Sequence, residues 1–359
     1  MSAQRPDRPA FGAGRPMQRK ALQISPEELV DTRPLDPMDL DDPLPLVVSP
    51  RVDGVNLVSW ASAHRDWIDD LLTRHGGLLF RSFGIDSAER FEELVAASSS
   101  GTLPYVERSS PRRAVGGGIY TSTEHPADQE IFLHNEQSYN LTFPRQIYFC
   151  CLRAARAGGA TPIADCRRVL AQLDPEVRQR FFEKGCMYVR NFGDGLGLPW
   201  QTAFQTSDPQ AVEEYCRAGG IQVEWKSGGR LRTRQVRSAI AAHPRSGELT
   251  WFNHATFFHV STLPSAVRDR LLDQIPEEEL PNNTYYGDGS PIEPAVMERL
   301  QAIYRREWRR FPWQEGDVLL LDNMLVAHGR EPFEGERRVI VGMANPTSWE
   351  SVRPTELSR

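Results

Sequence analysis

The stretch HNEQSYN, residues 134–140, decides how this sequence is interpreted, because it places His134 and Glu136 two positions apart. Residues i and i+2 of a β-strand point to the same side of a sheet, so both side chains can face one metal ion. A third ligand, His328, ends an apolar stretch far along the chain. Two imidazoles and one carboxylate can hold ferrous iron and leave its opposite face open for a co-substrate and oxygen. The sequence therefore predicts a non-haem iron site.

The residues around His328 predict where the third ligand lies. Residues 318–321 (VLLL) predict a buried strand that residues 324–328 continue, and residues 331–336 contain the Pro and Gly of a turn. Residues 338–343 then return as the second strand of a hairpin. A lone histidine is more often a core or surface residue than a ligand, so the assignment depends on its neighbours. Here the histidine ends a strand next to a turn, where binding residues are common.

Two further side chains indicate a bound carboxylate. Arg338 opens the apolar run RVIVGM, and a buried guanidinium is costly unless it pairs with an anion, which it grips through two parallel hydrogen bonds. Thr161 follows the Gly158-Gly159 turn on a short predicted strand and can add a hydroxyl. We therefore expect O₂ and 2-oxoglutarate, a 2-oxo acid with a second carboxylate, as co-substrates. A zinc hydrolase is an alternative, because the same three ligands suit zinc, but it has no use for this Arg–Thr pair.

Apolar periodicity, capping residues and turn residues predict the other elements. We predict helices over residues 61–75, from 86, after Asp165, after Asp174, over 209–218 and over 294–311, strands over 77–83, 131–134, 145–152 and 160–164, and mostly loop over 190–235 around the one helix. Helices that alternate with short apolar strands indicate helices wrapped around a sheet.

Composition limits the class of protein. The chain has 359 residues, of which 40% are hydrophobic and 25% charged, as in a globular protein with a sizeable core. Its net charge of −6 argues against nucleic acid as a partner. We expect no membrane span and no secretory signal. Five cysteines without paired spacing indicate reduced thiols and a cytoplasmic protein. Pro, Arg and Asp dominate residues 1–43, which we predict to be a flexible tail.

Three segments together resemble a known family. The segments HNEQSYN (134–140), GGATPIADCR (158–167) and DNMLVAHGREPFEGERRVIVGM (322–343) look like the taurine dioxygenase and clavaminate synthase group of iron(II)/2-oxoglutarate oxygenases. The likeness is nearest to hydroxylases of nonribosomal peptide pathways, of the syringomycin type, and it covers residues 75–345.

The resemblance implies a set of site residues. They are the metal ligands His134, Glu136 and His328 and the oxoglutarate contacts Thr161 and Arg338. Taurine dioxygenase has a further arginine four positions beyond the equivalent of Arg338, where this chain has Gly342. Either Arg338 alone anchors the oxoglutarate, or Arg337 or another residue contributes.

The resemblance also implies a fold and a reaction. The expected fold is mixed α/β but mainly β: a double-stranded β-helix, or jelly roll, with flanking helices. Residues 44–359 would form a single domain in which residues 165–310 are an insertion and lid. The expected reaction is hydroxylation of an unactivated carbon, with the β-carbon favoured. Related halogenases lack the carboxylate that Glu136 supplies. Desaturation, ring formation, or a jelly-roll protein that binds metal without turnover are the alternatives.

The expected substrate is a small molecule in secondary metabolism, an amino acid or an aminoacyl group tethered to a carrier protein. Four residues near the metal motifs are candidate substrate contacts: Glu130, Ser138, Trp251 and Asn253. The sequence leaves open the substrate's identity and the oligomeric state.

Overall fold

The computed structural model describes residues 25–36, 43–122, 125–193, 195 and 197–357. The strands are β1 (Val30–Pro34), β2 (Leu46–Pro50), β3 (Gly77–Phe80), β4 (Ala114–Gly116), β5 (Ile119–Thr121), β6 (Ile131–His134), β7 (Thr142–Arg153), β8 (Ala157–Gly158), β9 (Ile163–Asp165), β10 (Cys186–Phe192), β11 (Ile221–Lys226), β12 (Arg230–Arg237), β13 (Ile240–Ala242), β14 (Leu249–Trp251), β15 (Asn282–Tyr286), β16 (Val318–Asp322), β17 (Val326–Arg330), β18 (Phe333–Glu334) and β19 (Arg338–Ser348). The helices are α1 (Pro26–Leu29), α2 (Leu57–Ala63), α3 (Arg65–His75), α4 (Ala88–Ser98), α5 (Cys166–Ala171), α6 (Pro175–Lys184), α7 (Trp200–Phe204), α8 (Pro209–Ala218), α9 (Ala255–Phe258), α10 (Ser265–Gln274), α11 (Pro294–Glu307) and α12 (Trp349–Val352). Three short 3₁₀ helices cover Ser227–Gly229, Val260–Thr262 and Glu277–Glu279.

An eight-stranded sheet forms the base of the molecule, in the order β1-β2-β3-β16-β7-β19-β5-β4. Residues 318–321 are continuously apolar because they belong to β16, a strand of this sheet that is covered on both faces. Val318 and Leu320 pack with α2, α3 and α4 on one face, while Leu319 and Leu321 face a second core on the other. Alternate side chains of a strand point to opposite faces, so a strand covered on both sides has no polar positions.

A three-stranded sheet, β6-β17-β9, lies over that second core and carries the metal motifs. Its central strand β17 places His328 directly opposite His134 on one side and opposite Ile163 on the other. The neighbouring Gly329 has no room for a side chain, because a Cβ there would lie 2.5 Å from the carbonyl oxygen of Ile131. A glycine at this position therefore allows the two metal-motif strands to approach closely.

The predicted hairpin between the His328 strand and the following strand is wrong. The strands exist, but β17 belongs to the three-stranded sheet, whereas β19 pairs with β7 and β5 in the large sheet. The strand before His328 is also interrupted, because β16 ends at Asp322 and the chain turns before β17 begins. Apolar pattern identifies a buried strand but not its partner, since strands of two packed sheets carry the same signal.

The region predicted to be mostly loop, residues 190–235, contains strands. A four-stranded sheet in the order β11-β12-β10-β15 runs through it, with α7 and α8 packed nearby. The reason is visible in β12, whose sequence RLRTRQVR alternates arginine with other residues. Ion pairs such as Arg234 with Glu224 and Arg232 with Glu279 neutralise these arginines, so a charged strand remains stable.

The tail prediction is wrong for residues 25–36. These residues form α1 and β1, and β1 pairs antiparallel with β2 at the edge of the large sheet. Val30 is buried there, and the strand is held by backbone pairing that composition does not reveal. The rest of the predicted tail, residues 1–24 and 37–42, lies outside the described residues.

Two helix predictions illustrate the role of end signals. Asp165 caps α5 as expected, because its side chain accepts hydrogen bonds from the backbone N–H groups of Arg167 and Arg168. The helix expected over residues 61–75 is instead two helices, α2 and α3, joined at His64.

Among the described residues, none of the helices combines the length and the apolarity needed to cross a bilayer.

Candidate active site

Three potential metal ligands meet between the large sheet and the three-stranded sheet. One ligand atom each from His134, Glu136 and His328 lie within 4.8 Å of one another. All three side chains are buried, and Nε2 of His328 lies 3.9 Å from Oε2 of Glu136. The side chains that sequence spacing singled out are therefore close enough to share one ion.

Glu136 is not on a strand, because β6 ends at His134. The side chain of Asn323 takes the place of a pairing strand. Its Oδ1 accepts a hydrogen bond from the backbone N–H of Glu136 at 2.8 Å, and its Nδ2 donates to the backbone carbonyl of the same residue at 2.9 Å. Nδ2 also donates to the carbonyl of Pro144, and the backbone oxygen of Asn323 accepts from the side chain of Asn135 at 2.7 Å. A single buried amide thus fixes the backbone that presents the carboxylate.

Both histidines are buried, and a hydrogen bond orients the ring of His134. Nδ1 of His134 lies 2.9 Å from the carbonyl oxygen of Phe132, which leaves Nε2 for an ion. Burial lowers the pKa of His134 and lowers that of His328 well below its ordinary value. A metal binds the unprotonated imidazole, so burial prepares both rings as ligands. A further histidine, His254, packs edge-on against His134, with ring centroids 5.2 Å apart.

Arg112 is the side chain that contacts the candidate metal ligand Glu136 directly. Its Nη2 donates to Oε2 of Glu136 at 2.5 Å, and both side chains are almost fully buried. Burial disfavours the charge of Arg112, but the adjacent carboxylate outweighs it and raises its pKa. The guanidinium also lies over the ring of Tyr105, 4.8 Å from its centroid. Nothing in the local sequence SPRRAVGGG distinguished this arginine from a surface residue.

A second arginine, Arg337, lines the same pocket with Thr161. Nη2 of Arg337 is 3.4 Å from the hydroxyl oxygen of Thr161, which also accepts a hydrogen bond from Nε1 of Trp313 at 3.1 Å. Burial, together with the charge of nearby Arg330, lowers the pKa of Arg337 to about 10. A buried guanidinium whose pKa falls lacks sufficient negative charge around it, so this position favours an anionic ligand.

The structure places Arg338, the arginine expected to anchor the carboxylate, outside the pocket. Arg338 is exposed, whereas its neighbour Arg337 lines the pocket with His134, His328 and Thr161. The register between β19 and β7 shifts between Arg338 and Val339, and such an irregularity changes which side a residue faces. The alternative left open by the sequence, that Arg337 contributes, is the arrangement that the structure favours.

The four candidate substrate contacts occupy other places. Glu130 forms a two-pronged ion pair with Arg305 away from the pocket. Ser138 is buried and donates to the carbonyl of Asn135, and Trp251 packs against Phe181 in the core. Asn253 is buried and bonds only backbone groups, with its Oδ1 accepting from the N–H of Ala255 at the start of α9. In the described structure these four side chains make local contacts, and none of them lines the pocket of His134 and His328.

Arg330 is a further pocket residue that sequence reasoning missed. It lies two positions after His328. Because residues i and i+2 of a strand point to the same side, the argument that identified Glu136 from His134 would also have identified Arg330 from His328. Its Nη1 and Nη2 donate to the backbone carbonyls of His125, Pro126 and Gln129 at 2.5 to 3.0 Å. Arg330 therefore holds the loop before β6 against the pocket.

The residues present fit an iron ion and a dicarboxylate. Nε2 of His328 is the ring nitrogen that lies 3.9 Å from Oε2 of Glu136, so an ion bound by that carboxylate can also bind this nitrogen. Two neutral imidazoles and a carboxylate form the donor set that suits non-haem Fe(II). Arg337 and Thr161 supply a cation and a hydroxyl for a carboxylate in the same pocket.

This combination defines the class of protein: an Fe(II)- and 2-oxoglutarate-dependent oxygenase. The sequence comparison agrees, because the model of the family described as "Taurine catabolism dioxygenase TauD, TfdA family" matches residues 32–344. The chain belongs to this family.

Individual relatives agree with the family assignment. The chain is 43% identical over 279 residues to the dapdiamide synthesis protein DdaC of Enterobacter agglomerans, covering 78% of this chain and 85% of the relative. It is 30% identical over 319 residues to a clavaminate synthase-like protein of Arabidopsis thaliana, covering 84% and 93%. In fold it resembles PvcB of Pseudomonas aeruginosa, described as an Fe, alpha-ketoglutarate dependent oxygenase, with a TM-score of 0.51, 16% identity and coverage of 90% and 93%.

Replacing Asn323 by aspartate should weaken metal binding by roughly 10- to 100-fold, the usual effect of removing a partner that orients a ligand. The aspartate can still accept from the N–H of Glu136 but cannot donate to its carbonyl. Asn283→Asp is the matched control, because Asn283 is equally buried and uses its amide fully, with two backbone N–H groups and two side chains, in β15. Chelator competition for Fe(II) measures the dissociation constants; similar losses in both variants would contradict the positioning role.

Proposed function

We propose that this protein hydroxylates an unactivated carbon of an amino acid or of a carrier-bound aminoacyl group, with the β-carbon favoured. His134, Glu136 and His328 hold the iron, and Arg337 with Thr161 binds the far carboxylate of oxoglutarate. The observation that carries the proposal is the convergence of the three ligand atoms within 4.8 Å beside a pocket lined by Arg337 and Thr161.

The proposed fold is a double-stranded β-helix. The eight-stranded and three-stranded sheets would form its two halves, since one hydrophobic cluster joins side chains of both sheets, among them Phe149 and Val326. Residues 44–359 would be one catalytic domain. Residues 165–310 would be its insertion and lid, because β10, β11, β12 and β15 form a sheet of their own beside the metal strands.

The protein's contribution to the reaction is orientation and a dry pocket. When bound, iron and oxoglutarate supply the power to oxidise a C–H bond: one oxygen atom of O₂ enters the product and the other enters succinate, with loss of carbon dioxide. The hydrogen bonds between the side-chain amide of Asn323 and the backbone of Glu136 hold the carboxylate ligand in place. The hydrogen bond between His134 and the carbonyl of Phe132 orients the imidazole ring of His134. Because Glu136 fills the third protein position, a hydroxylation is favoured over a reaction that needs a halide ligand.

The relatives support a role in small-molecule biosynthesis. DdaC is named for dapdiamide synthesis, and PvcB is described as belonging to an isonitrile synthetic pathway. By analogy we propose a place in secondary metabolism for this chain. Desaturation or ring formation uses the same cofactors and remains the second candidate, because it differs only in the fate of the substrate after hydrogen removal.

The test is a reaction of the iron-loaded protein with oxoglutarate, oxygen and a panel of free amino acids, their primary amides and carrier-bound aminoacyl groups. We expect succinate to form, and one panel member to gain one oxygen atom by mass spectrometry. A loss of two hydrogen atoms instead would establish the second candidate. Zinc-loaded protein is the control; turnover with zinc and without oxygen would favour a hydrolase, and succinate formation excludes a metal-binding protein without turnover.

A further inference from the structure

Arg112 has more hydrogen-bonding capacity than the described structure uses. Only its Nη2 has a side-chain partner, Glu136, while Nε and Nη1 are buried with no hydrogen-bond partner among the described residues. Buried donors without partners are rare and costly, about 1–3 kcal/mol each. Such donors at a pocket wall indicate that a ligand completes their bonding.

The charged side chains described at the pocket are mostly positive. Among the described residues, Arg112, Arg330 and Arg337 line it and Glu136 opposes them with a single negative charge, so these four side chains have a net charge of two positive units. Bound Fe(II) and the oxoglutarate dianion cancel each other, so the excess remains after both have bound. A neutral substrate would leave this positive charge without compensation in a buried site, whereas a carboxylate substrate would offset part of it.

Arg112 is placed for the substrate rather than for the far end of oxoglutarate. It bonds a metal ligand, so any group that it holds lies next to the ion, where the oxidised carbon must also lie. Arg337 and Thr161, which contact each other in the same pocket, are the pair that we assign to the far carboxylate of oxoglutarate. The cavity in this conformation has only about 30 Å³, room for one or two waters, so the side chains around Arg112 must shift when ligands bind.

The segment that carries Arg112 is tied to the proposed insertion. Residues 103–113 contain neither helix nor strand. Arg190 of β10 donates to the carbonyl of Arg108 at 2.6 Å, and Tyr139 donates to the carbonyl of Glu107 at 2.9 Å. These two hydrogen bonds hold the segment against β10 and against the residues that follow Glu136.

We infer that Arg112 binds a free carboxylate of the substrate beside the iron. This inference rests on the proposed function and narrows it: the substrate is an acid, such as a free amino acid, and not an aminoacyl thioester on a carrier protein. A thioester carbonyl has no negative charge and can accept only weak hydrogen bonds from the guanidinium. A carboxylate can accept two parallel, charge-assisted bonds from it.

The experiment compares each free amino acid of the panel with its primary amide and its carrier thioester. Equilibrium binding to protein loaded with Mn(II) and N-oxalylglycine, which cannot turn over, is measured by calorimetry beside KM for the iron enzyme. We expect the acid to bind roughly 10- to 100-fold more tightly than the amide, the effect of a charged hydrogen-bond pair. Arg112→Gln should bring this acid-to-amide ratio close to one, and Arg112→Lys should retain part of it.

Arg330→Gln is the matched control, since it removes a positive charge from the same pocket. It should lower the acid-to-amide ratio less than Arg112→Gln does, because Nη1 and Nη2 of Arg330 already donate to backbone carbonyls and only its charge is lost from the pocket. The inference is overturned if amides or thioesters bind as well as acids, if no acid binds, or if the ratio collapses in Arg330→Gln and not in Arg112→Gln. It is also overturned if Arg112→Gln weakens oxoglutarate binding instead. Absence of succinate under all conditions would reject the proposed function itself.

Discussion

Replacing Glu136 by alanine should lower oxoglutarate turnover by at least about 10³-fold, because one of three protein ligands to the iron is lost and a barrier increase near 4 kcal/mol gives that factor. The same variant should bind Fe(II) far more weakly. Succinate formation and chelator competition measure the two effects. Turnover equal to that of the wild type would contradict the assignment of the three ligands.

The same substitution should also destabilise the metal-free protein. Glu136 is the carboxylate partner of buried Arg112, and breaking a buried ion pair by removing one partner costs about 3–5 kcal/mol. The double variant Glu136→Ala, Arg112→Met removes the stranded cation and should recover much of that stability without recovering iron binding. Urea unfolding of the metal-free single and double variants separates the two roles of Glu136. Equal stabilities of the single variant and the wild type would show that the ion pair contributes nothing to folding.

The sequence predicted those candidate site residues that lie close together in the chain or follow a recognisable turn. His134 and Glu136 stand two positions apart, and Thr161 follows a diglycine turn. The reason given for the first pair was incomplete, because β6 ends at His134 and the amide of Asn323 presents the carboxylate. A side chain that substitutes for a pairing strand across almost two hundred positions of sequence leaves no periodic signal.

Arg112 shows most clearly which residues of the pocket cannot be predicted from the sequence. It reaches the pocket from a segment without regular structure, and only the tertiary fold places it on Glu136. The fold was likewise predictable only in part. The apolar residues 318–321 predicted a strand covered on both faces. No pattern in the sequence indicated that β17 and β19 belong to different sheets. Local pattern gives the elements, while pairing depends on contacts between distant residues.

Replacing Arg337 by glutamine should raise the KM for oxoglutarate by roughly 10- to 100-fold, the effect of losing a hydrogen bond from a charged group. The lowered pKa of Arg337 reflects burial without enough negative charge, and a bound carboxylate supplies that charge. Oxoglutarate should therefore raise the thermal unfolding temperature of the Mn(II)-loaded wild type, because a ligand that binds only the folded state stabilises it. The variant should show a much smaller increase at the same concentration.

The adjacent Arg338 provides the matched control, since it has the same charge and differs in position by one residue. Arg338 is exposed, so Arg338→Gln should change the KM for oxoglutarate by less than about threefold, as surface substitutions usually do. The opposite ranking, with Arg338→Gln the more damaging, would mean that the family resemblance identified the correct arginine and that β19 faces the pocket in a different register. The two variants thus test the register shift between Arg338 and Val339, because that irregularity determines which guanidinium enters the pocket.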